Sequence, residues 1–250
     1  MTVDSIVKDI KTLKIQGASN VAKAALTAFM HSSNRKAAAK KLIKARPTEP
    51  MLKNVLKLAT HENPEKILGK LASDADKITL FGARKLSHCK AIYTHCHSSS
   101  VMKIIKAINP DIVYVTETRP LYQGRITAEE LASSGIKVVL SVDSLMAEHI
   151  DKCDVILLGA DAITSSGFYN KVGSLAICLL ASSLGKKVYV CSHSLKFTKD
   201  KVKIEVRDSK EVLAKSLRGV AVLNPAFEFI PKQFVEAFIS EKGVTTLNNL

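Results

Sequence analysis

The chain has 250 residues, 46% hydrophobic and 24% charged, enough apolar material for a sizeable globular core. Thirty-seven lysines and arginines against 23 acidic residues leave a net charge of +14, which points to an anionic partner, either nucleic acid or phosphorylated metabolites. No apolar run nears the ~20 residues of a membrane span, and an odd set of five cysteines without paired spacing argues against a disulfide framework or a structural zinc site.

The N-terminal stretch MTVDSIVKDIKTLKI mixes both charge signs and has no apolar leader core, so a cytoplasmic protein is expected. Tryptophan is absent and aromatics make up 5%, which leaves few side chains for stacking on nucleic-acid bases. Up to about Leu86, apolar residues recur at helical spacing. Helices are predicted over Lys8–Ile15, Asn20–Met30, Arg35–Ala45, Met51–Thr60 and Pro64–Leu86, with breaks at Gln16–Gly17, Ser32–Asn34, Pro47–Pro50 and Asn63–Pro64.

From Lys90 the rhythm changes to short β-branched runs. Strands are predicted at Ala91–Thr94, Ile112–Thr116, Lys137–Val142, Val155–Leu158, Lys187–Cys191 and Gly219–Leu223. Helices are predicted at Val101–Ile108, Ala128–Ser134, Leu145–His149, Gly173–Leu184 and Pro231–Ser240. The strands are apolar without clean alternation, as in a parallel sheet covered on both faces. The expected architecture is α/β: an N-terminal helical domain (1–87) followed by a Rossmann-like domain (88–250) with a mainly parallel sheet flanked by helices. In such sheets, ligands bind at the carboxyl ends of the strands near the topological switch point.

Chemistry-bearing residues stand at those ends. Thr94, Cys96 and Ser98 follow the first strand, and Glu117, Thr118 and Arg119 the second, with Gln123–Arg125 beyond. Asp143 and Ser144 follow the third, Gly159–Asp161 the fourth, and His193–Phe197 the fifth. Cys96 lies between two histidines, just before Ser98, Ser99 and Ser100 open a helix. A helix N-terminus favours anions and lowers the pKa of a nearby thiol. A lone cysteine at a strand end is also commonly a small core residue. Taken singly, Arg46 serves equally to close a helix, Lys171 and Lys196 to face solvent, and Asp161 to cap a helix. Glu117, Arg119 and Arg125 fit a structural ion pair better than a substrate contact, and His95 and His97 lack a third ligand at metal-binding spacing.

The segments THCHSSS, VTETRPLYQGRITAEEL, VDS, GADAI…NKVGS, the KF of SLKF and NPAFEFIP resemble a known family in order and spacing. That family unites ribose-1,5-bisphosphate isomerase, methylthioribose-1-phosphate isomerase and the regulatory alpha, beta and delta subunits of translation initiation factor 2B. The likeness extends from Lys11 onward and is strongest to the archaeal ribose-1,5-bisphosphate isomerases. It implies a catalytic pair, Cys96 and Asp161, and substrate-binding positions at Arg46, Ser98, Ser99, Ser100, Asn170, Lys171 and Lys196. Where the isomerases carry a phosphate loop reading arginine-glycine-alanine-glycine, this chain has Gln16, Gly17, Ala18 and Ser19, so the arginine is absent.

The resemblance implies an aldose–ketose isomerase acting on a phosphorylated sugar, with ribulose 1,5-bisphosphate as product and a place in AMP salvage. Neither metal nor cofactor is expected. It further implies a homodimer or higher assembly and leaves room for a nucleotide activator. The alternative is a non-catalytic initiation-factor-2B-like subunit that senses nucleotides or contacts initiation factor 2 or nucleic acid; a weaker one is methylthioribose-1-phosphate isomerase. In the leading reading Cys96 acts as a thiolate base, its pKa lowered by the helix and nearby cations, and Asp161 acts as an acid, its pKa raised by burial. The phenylalanines of the C-terminal segment (Phe227, Phe229, Phe234, Phe238) are expected in a core-capping helix or at a subunit interface.

Overall fold

The computed structural model describes residues 2–246. Five helices come first: α1 (Val3–Lys11), α2 (Ala18–Met30), α3 (Arg35–Ala45), α4 (Pro50–Leu58) and α5 (Pro64–Leu86). Their starts follow from capping chemistry. Thr2 accepts from the Ser5 N–H at α1, Asn34 from Ala37 at α3, and Asn63 from Glu65 at α5, while proline occupies the first turn of α4 and α5. The first helix therefore begins before the expected Lys8 and stops at Lys11, because Leu13 turns left-handed (φ 59°). Ile6, Leu26, Phe29, Leu42, Leu52 and Leu56 build one buried core among these helices.

The sheet then forms from β1 (Ala91–Thr94), β2 (Ile112–Thr116), β3 (Val138–Ser141), β4 (Val155–Leu158), β7 (Lys187–Cys191), β9 (Ala237–Ser240) and β10 (Gly243–Thr245). Its order is β10-β9-β7-β4-β1-β2-β3, parallel throughout except for β10. From β3 to β9 this is the doubly wound order, with the chain reversing direction between β1 and β4. The helices α6 (Ser99–Ile108), α7 (Gln123–Ser133), α8 (Met146–Lys152) and α9 (Ser174–Ser183) connect the strands. One sheet face packs Ile92, Val113 and Leu157 against Ile78 and Leu86 of α5 and Ile104 and Ile105 of α6; the other packs Tyr93, Ile156 and Leu158 against Ile150, Ile177 and Cys178. Helix α5 thus serves two cores, with Leu71 among the helices and Ile78 on the sheet.

Two expectations about the C-terminal third are corrected. Gly219–Leu223 is not a strand: it has no ladder partner, and Leu223 is 81% exposed. Pro231–Ser240 is not a helix. It contains the end of β8 (Phe227–Pro231), a single 3₁₀ turn, and β9. The apolar run is short enough to fit either period, and consecutive Phe238 and Ile239 fill opposite faces of the sheet, which only a strand allows. Phe238 is a core residue there, not part of a capping helix or an exposed interface. A second sheet, β5 (Ala162–Thr164), β6 (Gly167–Lys171) and β8, is antiparallel and lies directly after Asp161.

Candidate active site

A cleft with about 770 Å³ of empty space, its mouth included, lies at the carboxyl ends of β1 and β4, where the strand order reverses. Cys96 and Asp161 both line it. Of the other expected residues, Gly17, Ala18, Ser19, Arg46, Ser98, Ser99, Asn170, Lys171 and Lys196 also line it. Gln16 is exposed and outside it, its carbonyl accepting from the Asn20 side chain, and Ser100 faces a neighbouring groove beside Lys103. The structure does not bring these two to the cleft wall. Gln16 precedes the turn at Gly17 that starts α2, and Ser100 lies one residue too deep in α6 to reach the cavity.

Cys96 is held by its backbone. Its N–H donates to Thr118 Oγ1 (3.1 Å), and its carbonyl accepts from Thr127 Oγ1 (2.7 Å). It adopts φ 67°, a left-handed conformation that costs about 1–3 kcal/mol outside glycine and marks an over-determined position. Thr118 is fixed in turn by Asp143, whose carboxylate accepts from the Thr118 and Arg119 N–H groups at 2.8 and 2.7 Å. His95 is buried, with Nε2 2.9 Å from the Val172 carbonyl, and burial lowers its pKa, so it is neutral at pH 7.

The expected lowering of the thiol pKa is corrected. Burial pushes Cys96 up to about 11 against the pull of Lys171, and nearby Asp161 adds to the rise. The serine-opened helix does not outweigh that desolvation. Asp161 is held at the end of β4, its N–H donating to the Tyr169 carbonyl (2.8 Å). Burial raises its pKa, as expected, while Lys196, Lys171 and Arg46 pull it down.

Groups able to hold an anion reach the cleft from several elements. Two helix N-termini, α2 after left-handed Gly17 (φ 80°) and α6 after Ser98, open on the cavity with no acidic residue in their first turns. Lys196 Nζ donates to the Ala160 carbonyl (2.6 Å), next to Asp161. Lys171 lies over the Phe227 ring at 5.3 Å, and Asn170 donates to Ser174 Oγ (2.9 Å). Arg46 is nearly buried, yet its Nε and Nη1 lack hydrogen-bond partners.

His95, His97, Gln123, Gly159, Ala160, Arg207, Ala226 and Phe227 complete the lining. Gln123 opens α7, and its buried Oε1 is unpartnered. Arg207 arrives from an irregular segment without periodicity, so only its charge could have signalled it. Among the described residues, eight buried side-chain polar atoms lack partners, and five of them (two on Arg46, one each on Glu49, Gln123 and Glu205) belong to this cleft or the ion cluster behind it. That concentration leaves the cleft rich in polar atoms free to bond a polar ligand.

Three other groups are structural. Arg125 pairs with Glu117 at 2.7 Å and stacks over Tyr122, and Arg119 donates to the Tyr122 hydroxyl; none of them lines the cavity. Asp74, His193 and Glu241 also cluster. Asp74 faces Nε2 of the imidazole (3.3 Å) and Glu241 faces Nδ1 (3.7 Å), which already accepts from the Leu195 N–H. The three side chains join α5 to the end of β7.

The model of the initiation factor 2 subunit family matches residues 7–247. The ribose 1,5-bisphosphate isomerase of Thermococcus kodakarensis is 31% identical over 96% of this chain and 89% of its own. The methylthioribose-1-phosphate isomerase of Heliobacterium modesticaldum is 31% identical over 94% of this chain and 85% of its own. Among solved structures, the Pyrococcus horikoshii translation initiation factor eIF-2B superposes with a TM-score of 0.86 at 25% identity, covering 98% of this chain and 96% of that one. With a matching family model over nearly its whole length, the chain belongs to the initiation factor 2 subunit family.

Proposed function

We propose that the chain is a sugar-phosphate aldose–ketose isomerase, with ribose 1,5-bisphosphate as substrate and ribulose 1,5-bisphosphate as product. The observation that carries this reading is the convergence of the Cys96 thiol and the Asp161 carboxyl on one cleft that also presents Arg46, Lys171, Lys196 and two helix N-termini. The names and full-length similarity of the isomerase relatives support it.

The reaction moves hydrogen from C2 to C1 while the ring C1–O4 bond opens. It needs a base at C2 and an acid at the ring oxygen. A thiol with a pKa of about 11 is protonated at pH 7 and serves as the acid. Asp161, made more basic by burial against the pull of three cations, serves as the base in its ionised form. Asp161 takes the C2 proton as the thiol protonates O4, and the C1–O4 electrons leave with oxygen. Asp161 then returns its proton to C1 as the O2–H proton goes to the thiolate, restoring both groups. This reverses the roles expected from sequence. Lys196, Lys171 and Arg46 bind the phosphates, and the amide of Gln123 receives a sugar hydroxyl.

We also propose a homodimer. The sheet edge at β3 and the turn after it leave Leu140, Val142 and Leu145 exposed, an apolar strip suited to a second copy. A nucleotide activator and a cytoplasmic location remain proposals; no described helix is long and apolar enough to cross a membrane. Incubation with ribose 1,5-bisphosphate, followed by ¹³C NMR, is expected to yield the ketose. No conversion of this compound, of methylthioribose 1-phosphate or of ribose 5-phosphate would overturn the isomerase reading.

A further inference from the structure

Behind the cleft, the turn from α3 into α4 buries an ion cluster around Arg46 whose carboxylates, Glu49 and Glu205, take no part in the proposed reaction. Glu49 is 3% exposed; its Oε2 lies 3.6 Å from Arg46 Nε, and its Oε1 has no hydrogen-bond partner. Glu205 Oε2 approaches Arg46 Nη2 at 3.9 Å and is also unpartnered. Both contacts are longer than a hydrogen bond, so Arg46 sits between two carboxylates without bonding either well. By contrast, Arg207 beside it is saturated by Glu211 at 2.7–3.1 Å and by Glu205 at 3.3 Å. An arginine left poorly bonded at a cavity wall matches an oxyanion better than two offset carboxylates do.

We propose that Glu49 and Glu205 compete with a ligand's phosphate for Arg46, and that seating a phosphate there obliges Glu49 to take up a proton. This rests on the proposed reading of the cleft as a sugar-phosphate site and adds a specificity residue to it. The groups that bear on Glu49 are Arg46 and Lys196, which favour its ionised form, and Asp161 and Glu205, which oppose it. Burial is the largest influence, and the carboxyl already stands near pH 7. A phosphate dianion beside Arg46 adds negative charge and draws the cation away, so the ionised form of Glu49 becomes untenable. Affinity is therefore highest when Glu49 is already protonated and falls as pH rises above 7. The residue also sets charge selectivity: each carboxylate left at Arg46 subtracts from the site's capacity for phosphate.

The test is calorimetric titration of the full chain with ribose 5-phosphate, whose phosphate is a dianion above about pH 6. At pH 8, two buffers of different ionisation enthalpy reveal proton uptake. Wild type is expected to take up close to one proton and to lose roughly tenfold in affinity between pH 7 and 8.5. Glu49→Gln is expected to abolish the uptake, flatten the pH dependence and bind more tightly than wild type at pH 8.5. Glu205→Gln is expected to tighten binding while keeping the uptake. Binding by wild type without proton uptake, or uptake that survives in Glu49→Gln, would overturn the proposal while leaving the phosphate site standing. Binding by neither ribose 5-phosphate nor inorganic phosphate would overturn both.

Discussion

At Cys96, burial and geometry act on one sulfur in opposite senses. The left-handed backbone and the Thr118 and Thr127 hydrogen bonds aim the side chain into the cleft, while desolvation keeps it protonated. Cys89, Cys153, Cys178 and Cys191 are all buried, so Cys96 is the cysteine open to a small reagent. Iodoacetamide labelling followed by mass spectrometry is expected to modify Cys96 slowly at pH 7, with a rate rising about tenfold per pH unit toward its pKa near 11 and suppressed by ribose 5-phosphate. Rapid labelling that levels off below pH 8 would show a depressed thiol and restore the thiolate-base assignment. The residue type and its place after β1 were legible from THCHSSS, but the sign of the pKa shift was not. That sign depends on how completely β4, the second sheet and the N-terminal helices close over the turn, which no local pattern records. Arg207 and Glu205 were missed for a related reason: they reach the site from a segment with neither period 2 nor period 3.6.

At the scale of elements, the strand ends hold the chemistry because close approaches leave no alternative packing. Gly159, between β4 and Asp161, lies against Ser98 at the start of α6, and a Cβ there would come within 2.7 Å of Ser98 Oγ. Gly159→Ala is expected to lower kcat/KM roughly tenfold to a hundredfold, by displacing the α6 N-terminus, with little change in Tm. Full activity would show that Ser98 gives way without cost to the site. The alternation of β1, α6, β2, α7 and β3 was readable because each strand is a compact apolar run bounded by polar punctuation. The second sheet was not: β5 has three residues, and β6 and β8 pair across 56 or more positions, so their register (Lys171 opposite Phe227) comes from tertiary contact alone. The same ambiguity turned Pro231–Ser240 into an expected helix, where the neighbouring β7 edge makes β9 a strand.

Across the whole molecule, the helical segment and the sheet are tied together at the segment that carries Lys196 into the cleft. His193 there clusters with Asp74 of α5 and Glu241, and Asn54 of α4 donates to the Leu195 and Phe197 carbonyls at 2.7 and 3.0 Å, bracketing Lys196. We propose that the 1–87 and 88–250 parts act as one unit for this reason, with α5 shared between their cores. Asn54→Ala is expected to cost about 1–2 kcal/mol of stability and to raise KM several-fold with kcat nearly unchanged, because Lys196 loses its seat. A stability loss with KM unaltered would remove Lys196 from the phosphate contacts. The central claim is that one thiol and one carboxyl act together on a single bound sugar. It is tested most directly by the turnover of ribose 1,5-bisphosphate by Cys96→Ser, Asp161→Asn and the double variant, each first shown to bind ribose 5-phosphate. Each single change is expected to lower kcat by about 10² or more, and the double change to cost little beyond the worse of the two. Turnover that survives either single change, or losses that multiply independently, would contradict the account.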